Sequence, residues 1–253
     1  MRHYLTILSH EVRMLLVSPS TYIAGTAFLT FMGFIFTVMM EDYSKAPQDI
    51  SPAATFFALY WFPVIFMVPL LTMKCLAEER RLGTIETLLT TPVTTTEVVL
   101  GKYTASYLLY LLFWGSSSGF FFILKRFAGD ARLIDAGPIL GGYLFITVSG
   151  LLFVAIGVFA SSLSRNQAVA GMLCVTMLVG LILGGKYLGN AAWLDRDALA
   201  PLKAAVSYGR VDQHYQDFTR GVVDMRELLF YVSGSVLALI FSILSVETKL
   251  LHS

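Results

Sequence analysis

CLAEERRLGTIETLLTTPVTTTEVVLGK, residues 75–102, is a charged island in an apolar chain. Glu78, Glu79, Arg80, Arg81, Glu86 and Glu97 lie there between two long apolar runs, 53–76 and 103–124. About 20 mostly apolar residues cross the hydrocarbon core as a helix, and both runs reach that length. The island is then the water-exposed connection between two membrane spans. Outward from it, four further runs qualify: 22–40 and, downstream, 138–160, 168–188 and 228–246. Lipid offers no partner to a free backbone N–H or C=O, so these segments are expected as helices. The alternating ten-residue pattern of a membrane barrel is absent. The fold class read from the sequence is all-α integral membrane, six transmembrane helices, in a single domain over 1–253.

Composition agrees. Of 253 residues 56% are hydrophobic and 14% charged, against about 25% charged in a soluble domain, and the mean hydropathy is +0.71. Such a chain lacks the polar groups to cover a globular surface. Its net charge of +1, with no dense Lys/Arg stretch interleaved with aromatics, gives no nucleic-acid surface. Cys75 and Cys174 have neither metal nor redox spacing and are expected as packed, reduced thiols. No cleavable leader is expected, because no small-residue cleavage pattern follows the first apolar run.

The segments outside the spans divide into three. Residues 2–17 place Leu5, Leu8, Val12, Leu15 and Leu16 at helical spacing, with Arg2, His3, His10 and Glu11 mainly elsewhere. This predicts an amphipathic helix within residues 1–20, lying on membrane lipid at the interface. The island occupies 78–97. The polar stretch 189–227 predicts short helices on the outer face. Thr94 ahead of Glu97, and Asp224 ahead of Glu227, read as capping boxes. Pro63 and Pro69 should bend the second span. Arg2 and Arg13 precede the first span, whereas Glu41, Asp42 and Asp49 follow it, which predicts cytoplasmic N- and C-termini. The bases at Lys125, Arg126 and Arg132 pull the other way, and the first-span bias is followed here.

Two enzyme-like strings do not fit their chemistry. Gly115-Ser116-Ser117-Ser118-Gly119 matches GxSxG, but all four histidines lie outside the spans, so none can activate its serine. Its small residues are expected to let helices pack closely. Gly180–Tyr187 approaches a phosphate loop but has Tyr187 where the Mg²⁺-binding hydroxyl belongs. No cofactor, metal or nucleotide site is expected in this chain, and an intramembrane enzyme is disfavoured. The near absence of acids and bases within the spans also disfavours an ion-driven transporter.

Within the island, Glu78–Arg81 should extend the second span into water as a charged stem, broken by Gly83. Ile85, Leu88 and Leu89 fall at i, i+3 and i+4, with Glu86 on another side, and Pro92 ends the helix. An apolar stripe in water needs a cover, either the membrane surface or a groove on a soluble partner.

EERRLGTIETLLTTPVTTTEVVLGK closely resembles the corresponding segment of ABC-2 type transporter permeases, at Glu78, Glu79, Gly83, Thr84, Glu86, Leu88, Leu89, Pro92, Val93, Glu97, Gly101 and Lys102. The N-terminal amphipathic segment, six spans, the SSLSRNQAVAG turn and the polar outer loop extend the resemblance along the chain. HYQDFTRGVVDMRELLFY, before the last span, looks like the gliding-motility-associated subgroup. The resemblance implies a membrane permease subunit of an ATP-binding-cassette exporter in a bacterial cytoplasmic membrane. It implies a second permease protomer, identical or related, and two copies of a separate ATPase subunit that binds ATP and Mg. The island would be the coupling helix, with Glu79, Arg80, Arg81, Gly83, Thr84, Ile85, Glu86, Leu88, Leu89 and Pro92 meeting the ATPase, and Arg165 and Asn166 a second contact. The alternative within this reading is a non-transporting scaffold that moves an extracytoplasmic partner protein.

Overall fold

Each apolar run folds as helix, and most helices outrun the hydrocarbon they must cross. The computed structural model describes residues 2–45, 51–83, 93–127, 135–189 and 206–250. Among them are α1 (Arg2–Val17), α2 (Pro19–Lys45), α3 (Pro52–Ala58), α4 (Trp61–Thr72), α5 (Ala77–Leu82), α6 (Thr95–Ser116), α7 (Ser118–Phe127), α8 (Ala136–Leu163), α9 (Gln167–Val179), α10 (Gly185–Gly189), α11 (Val211–Thr219) and α12 (Met225–Leu250). No strand occurs among the described residues. Six helical stretches are long and apolar enough to span: Pro19–Lys45, Trp61–Leu82, Thr95–Arg126, Ala136–Leu163, Gln167–Leu188 and Met225–Thr248.

Proline sets the shape of the second span. The expected single run from residue 53 is divided, and residues 52–58 form the separate helix α3. Pro63 has no N–H to give the Leu59 carbonyl four residues back. That carbonyl instead accepts from Phe62 N at 3.2 Å, and the chain turns at Leu59–Tyr60. Pro69 stays inside α4, which ends at Thr72; the turn Met73–Leu76 leads into α5. The capping box at the third span forms as expected: Glu97 N donates to Thr94 Oγ1 and Thr94 N to Glu97 Oε2, both at 3.2 Å. At α12, Asp224 Oδ1 accepts from Arg226 N at 2.9 Å, but Glu227 does not complete the box; its carboxyl is buried beside Asp217.

α8 is the central helix, with α3, α4, α6, α9, α11 and α12 packed around it. At one end of the bundle an aromatic cluster fills the space between them, with ring centres of Phe57–Tyr143 and Phe56–Phe121 both 5.0 Å apart. There the amphipathic α11 buries Val211, His214, Tyr215 and Phe218, one of the short helices expected for this loop. It sits so close to α8 that a Cβ on Gly141 would lie 2.0 Å from the Phe218 carbonyl oxygen. His214 Nδ1 is 3.1 Å from the Tyr231 hydroxyl. Burial pushes the His214 imidazole below its usual range, against the opposing charges of Asp217 and Asp212. A histidine held neutral in the fold contributes stability that is full above its unfolded value of about 6.5 and is lost as pH falls from there through the lower folded value. The exchange protection of α11 amides is therefore expected to fall as pH drops below about 6.5, and His214→Asn to flatten that dependence.

The GxSxG string has a different structural part from the one expected. Among the described residues nothing lies within 4 Å of a Cβ built at Gly115 or Gly119, so these glycines make no close helix contact there. Instead the string is where α6 hands over to α7. The buried Ser117 bonds back to the Trp114 carbonyl at 2.6 Å and meets the Tyr143 hydroxyl at 3.1 Å. Gly180–Gly184 is a π-helical turn continuous with α9, so its backbone is held by helical bonds and forms no phosphate cradle.

Candidate functional site

At the end of the bundle opposite α11, the structure gathers α1, the stem α5, the start of α6 and the ends of α8 and α12. Lys102 is the centre. It lies two turns inside α6 in the apolar sequence VVLGKYTA, and only 4% of it is exposed. A cation so placed needs counter-charge, because burying it unpaired costs many kcal/mol. Two glutamates supply it from other elements: Glu11 Oε1 of α1 at 2.6 Å and Glu79 Oε1 of α5 at 2.7 Å. One lysine thus ties the N-terminal helix and the island stem to the third span.

The seat of α1 explains how Glu11 arrives. The sequence pattern put Glu11 on the polar side, but the packing face of α1 is rotated to include it. Tyr4 donates to Thr104 Oγ1 at 2.9 Å, and Leu8, Val12 and Leu15 are half-buried. Leu5 and Leu16, expected on the same stripe, remain exposed beside that face. Gly101 makes the approach possible: a Cβ there would lie 2.7 Å from Ile7 Cγ2.

A second fastening holds the stem to α8. α5 starts at a turn without a side-chain cap of its own, which leaves its first N–H groups without partners. Ser161 of α8 takes that role across the bundle: its Oγ accepts from Leu76 N at 3.0 Å and Ala77 N at 3.1 Å, and donates to the Met73 carbonyl at 3.2 Å. The Arg80 guanidinium donates to the Ser162 carbonyl, which also accepts from Ser245 Oγ of α12 at 3.1 Å. Cys75 is buried against Ser106, with Sγ and Oγ 3.2 Å apart. The stem ends at Gly83, whose φ of +70° is the left-handed conformation that closes helices and strains other residues. Ser161→Ala strands the two buried N–H groups and is expected to cost about 1–3 kcal/mol, read as a lower unfolding temperature in detergent.

The residues named from sequence are thus partly united. Glu79 and Arg80 are in the joint. Arg81 is exposed and, among the described residues, lies 3.8 Å from Glu78. Arg165 is exposed in the 162–167 turn and near enough to Arg80 for their charges to interact. Asn166 caps α9, its Oδ1 accepting from Ala168 N at 2.9 Å. Leu82 and Leu163 leave apolar surface exposed at this end. Thr84, Ile85, Glu86, Leu88, Leu89 and Pro92 lie outside the described residues. The sequence reading missed Glu11, Lys102, Ser161 and Ser162 as members of this joint. The available signal was a lone lysine in an apolar helical stretch, which demands buried acids without saying which.

The family model described as ABC-2 family transporter protein matches residues 37–193. A search of curated proteins gave no match. The matched stretch takes in the island, its stem and α3 to α10, and stops before residues 214–231, so the narrower likeness of that segment to gliding-motility permeases has no support from it. Matched over more than half of its length, and with the six apolar helices this role requires, the chain belongs to the ABC-2 family of transporter membrane proteins.

Proposed function

We propose that this chain is one permease protomer of an ATP-binding-cassette exporter. It pairs with an identical or related protomer and is driven by two separate ATPase subunits that carry ATP and Mg. The island, 78–97, is the element that meets the ATPase, with the 162–167 turn beside it, and both face the cytoplasm. The observation that carries this reading is the joint itself. A segment meant only to connect two spans needs no fixed base, yet its stem is held by a buried ion cluster and a cross-bundle cap to α1, α6 and α8. That arrangement suits a lever: displacement of the island moves several spans together rather than bending one loop. ATP binding draws the ATPases together, and the joint turns that motion into a rigid-body shift of the bundle. The least covered of the six spans, Gln167–Leu188, offers the face for the second protomer, with the transport path between the two.

The test is contact. A photo-crosslinking residue at Ile85 should join the ATPase in membranes, and one at Val222, exposed at the opposite end, should not. Crosslinking from Val222 and none from Ile85 would overturn both the orientation and the role of the island.

A further inference from the structure

Between α2 and α4 lies a groove of about 330 Å³ with an almost wholly apolar lining. Ala24, Phe28 and Met67 form its buried floor, and Phe66 and Leu70 stand at its exposed edge. Phe31 and Phe62 close one end as a stacked pair, centroids 4.4 Å apart. The other end is polar. One turn beyond Leu70 is Lys74, and one turn before Ala24 is Ser20; Lys74 Nζ lies 3.3 Å from Ser20 Oγ, which is 2.7 Å from Ser18 Oγ. No carboxylate pairs with Lys74 among the described residues.

We propose that this groove binds one phospholipid with an anionic headgroup, drawn from the leaflet on the α1 side. Its acyl chain lies between α2 and α4, and its phosphate sits on Lys74 and the two serine hydroxyls. Three features select this occupant. The helix from Ser20 to Phe31 rises roughly 16 Å, half of a ~30 Å hydrocarbon core, so the groove runs from an interface to the midplane. Its volume of about 330 Å³, ended by the stacked Phe31 and Phe62 rings, suits a single hydrocarbon chain. A lysine that no described carboxylate pairs, at the mouth of an apolar slot, complements an amphiphile of negative charge.

The experiment uses the full chain in nanodiscs of phosphatidylcholine doped with phosphatidylglycerol that carries a photoreactive group in one acyl chain. Labelled sites are mapped by mass spectrometry. Label is expected to concentrate on α2 and α4 peptides around Ala27 and Phe66. Ala27→Phe fills the groove from its exposed side and is expected to lower that label to the level of the remaining belt. Lys74→Gln is expected to lower it about fivefold, the worth of one lysine near an anionic surface, and to abolish the preference over a phosphatidylcholine probe. Inorganic phosphate should not compete. Label spread evenly around the belt and unmoved by Ala27→Phe would overturn the proposal. So would a disulfide between two copies carrying Phe66→Cys together with absence of label, which would assign the groove to a second copy of the chain.

Discussion

Lys102→Met is expected to loosen the base of the bundle by about 3–5 kcal/mol, the cost of breaking a buried ion cluster by removing one partner. The side chains are similar in length and apolar bulk, so the loss is electrostatic: Glu11 and Glu79, both largely buried, would face one another without their shared cation. The unfolding temperature in detergent should fall steeply, and α1 should gain proteolytic access. The triple variant Glu11→Gln, Glu79→Gln, Lys102→Met removes charge from all three sites and should recover much of the loss, because an uncharged buried set has no stranded ion. That recovery separates an ion cluster from simple packing, which neutral amides would not restore. If Lys102→Met melts at the wild-type temperature, the cluster does not hold the stem. The same variant bears on the proposed coupling: reconstituted with the proposed ATPase partner, its folded fraction should support ATP hydrolysis with a weakened response to the permease.

Leu88→Asp with Leu89→Asp is expected to abolish capture of the proposed ATPase partner. Burying two leucines in a groove contributes about 1.5–3 kcal/mol each before ordering costs, and two buried carboxylates add desolvation penalties of their own. The sum exceeds the surplus on which a typical interface depends. Co-purification in detergent should fail, and ATP turnover in nanodiscs should lose its stimulation. Val222→Asp with Val223→Asp is a change of matched severity at the opposite end, where both residues are exposed, and should leave both readouts intact. Full binding and normal stimulated turnover by the Leu88/Leu89 variant would remove the island from the coupling role. The two experiments probe different links: one breaks the joint inside the chain, the other the contact beyond it.

The sequence by itself determined the class of the fold and the place of the island. Lipid admits a spanning helix only as a long apolar run, so composition along the chain was enough to count six spans and to leave residues 78–97 between two of them. Local signals worked in part: Thr94 and Glu97 are three residues apart and their box forms as read, whereas Glu227, equally spaced from Asp224, is drawn beside Asp217 and leaves its box incomplete. They stopped short where a backbone had to choose among near-equal continuations. The break at Leu59–Tyr60 follows from Pro63, yet no comparable break attends Pro69 within α4. The GxSxG string, read for helix packing, marks a helix junction, and among the described residues its glycines meet no neighbouring helix.

Only the tertiary structure decided which polar groups meet. Glu11 and Lys102 are 91 residues apart, and Ser161 caps a helix start 85 residues before it. Helical periodicity gives the direction of a side chain around its own axis, and the true packing face of α1 differs from the most apolar one by enough to bring Glu11 inside. Buried charge requires a partner but does not name it; the partner is set by which helices lie side by side, and that is the outcome of packing across the whole bundle.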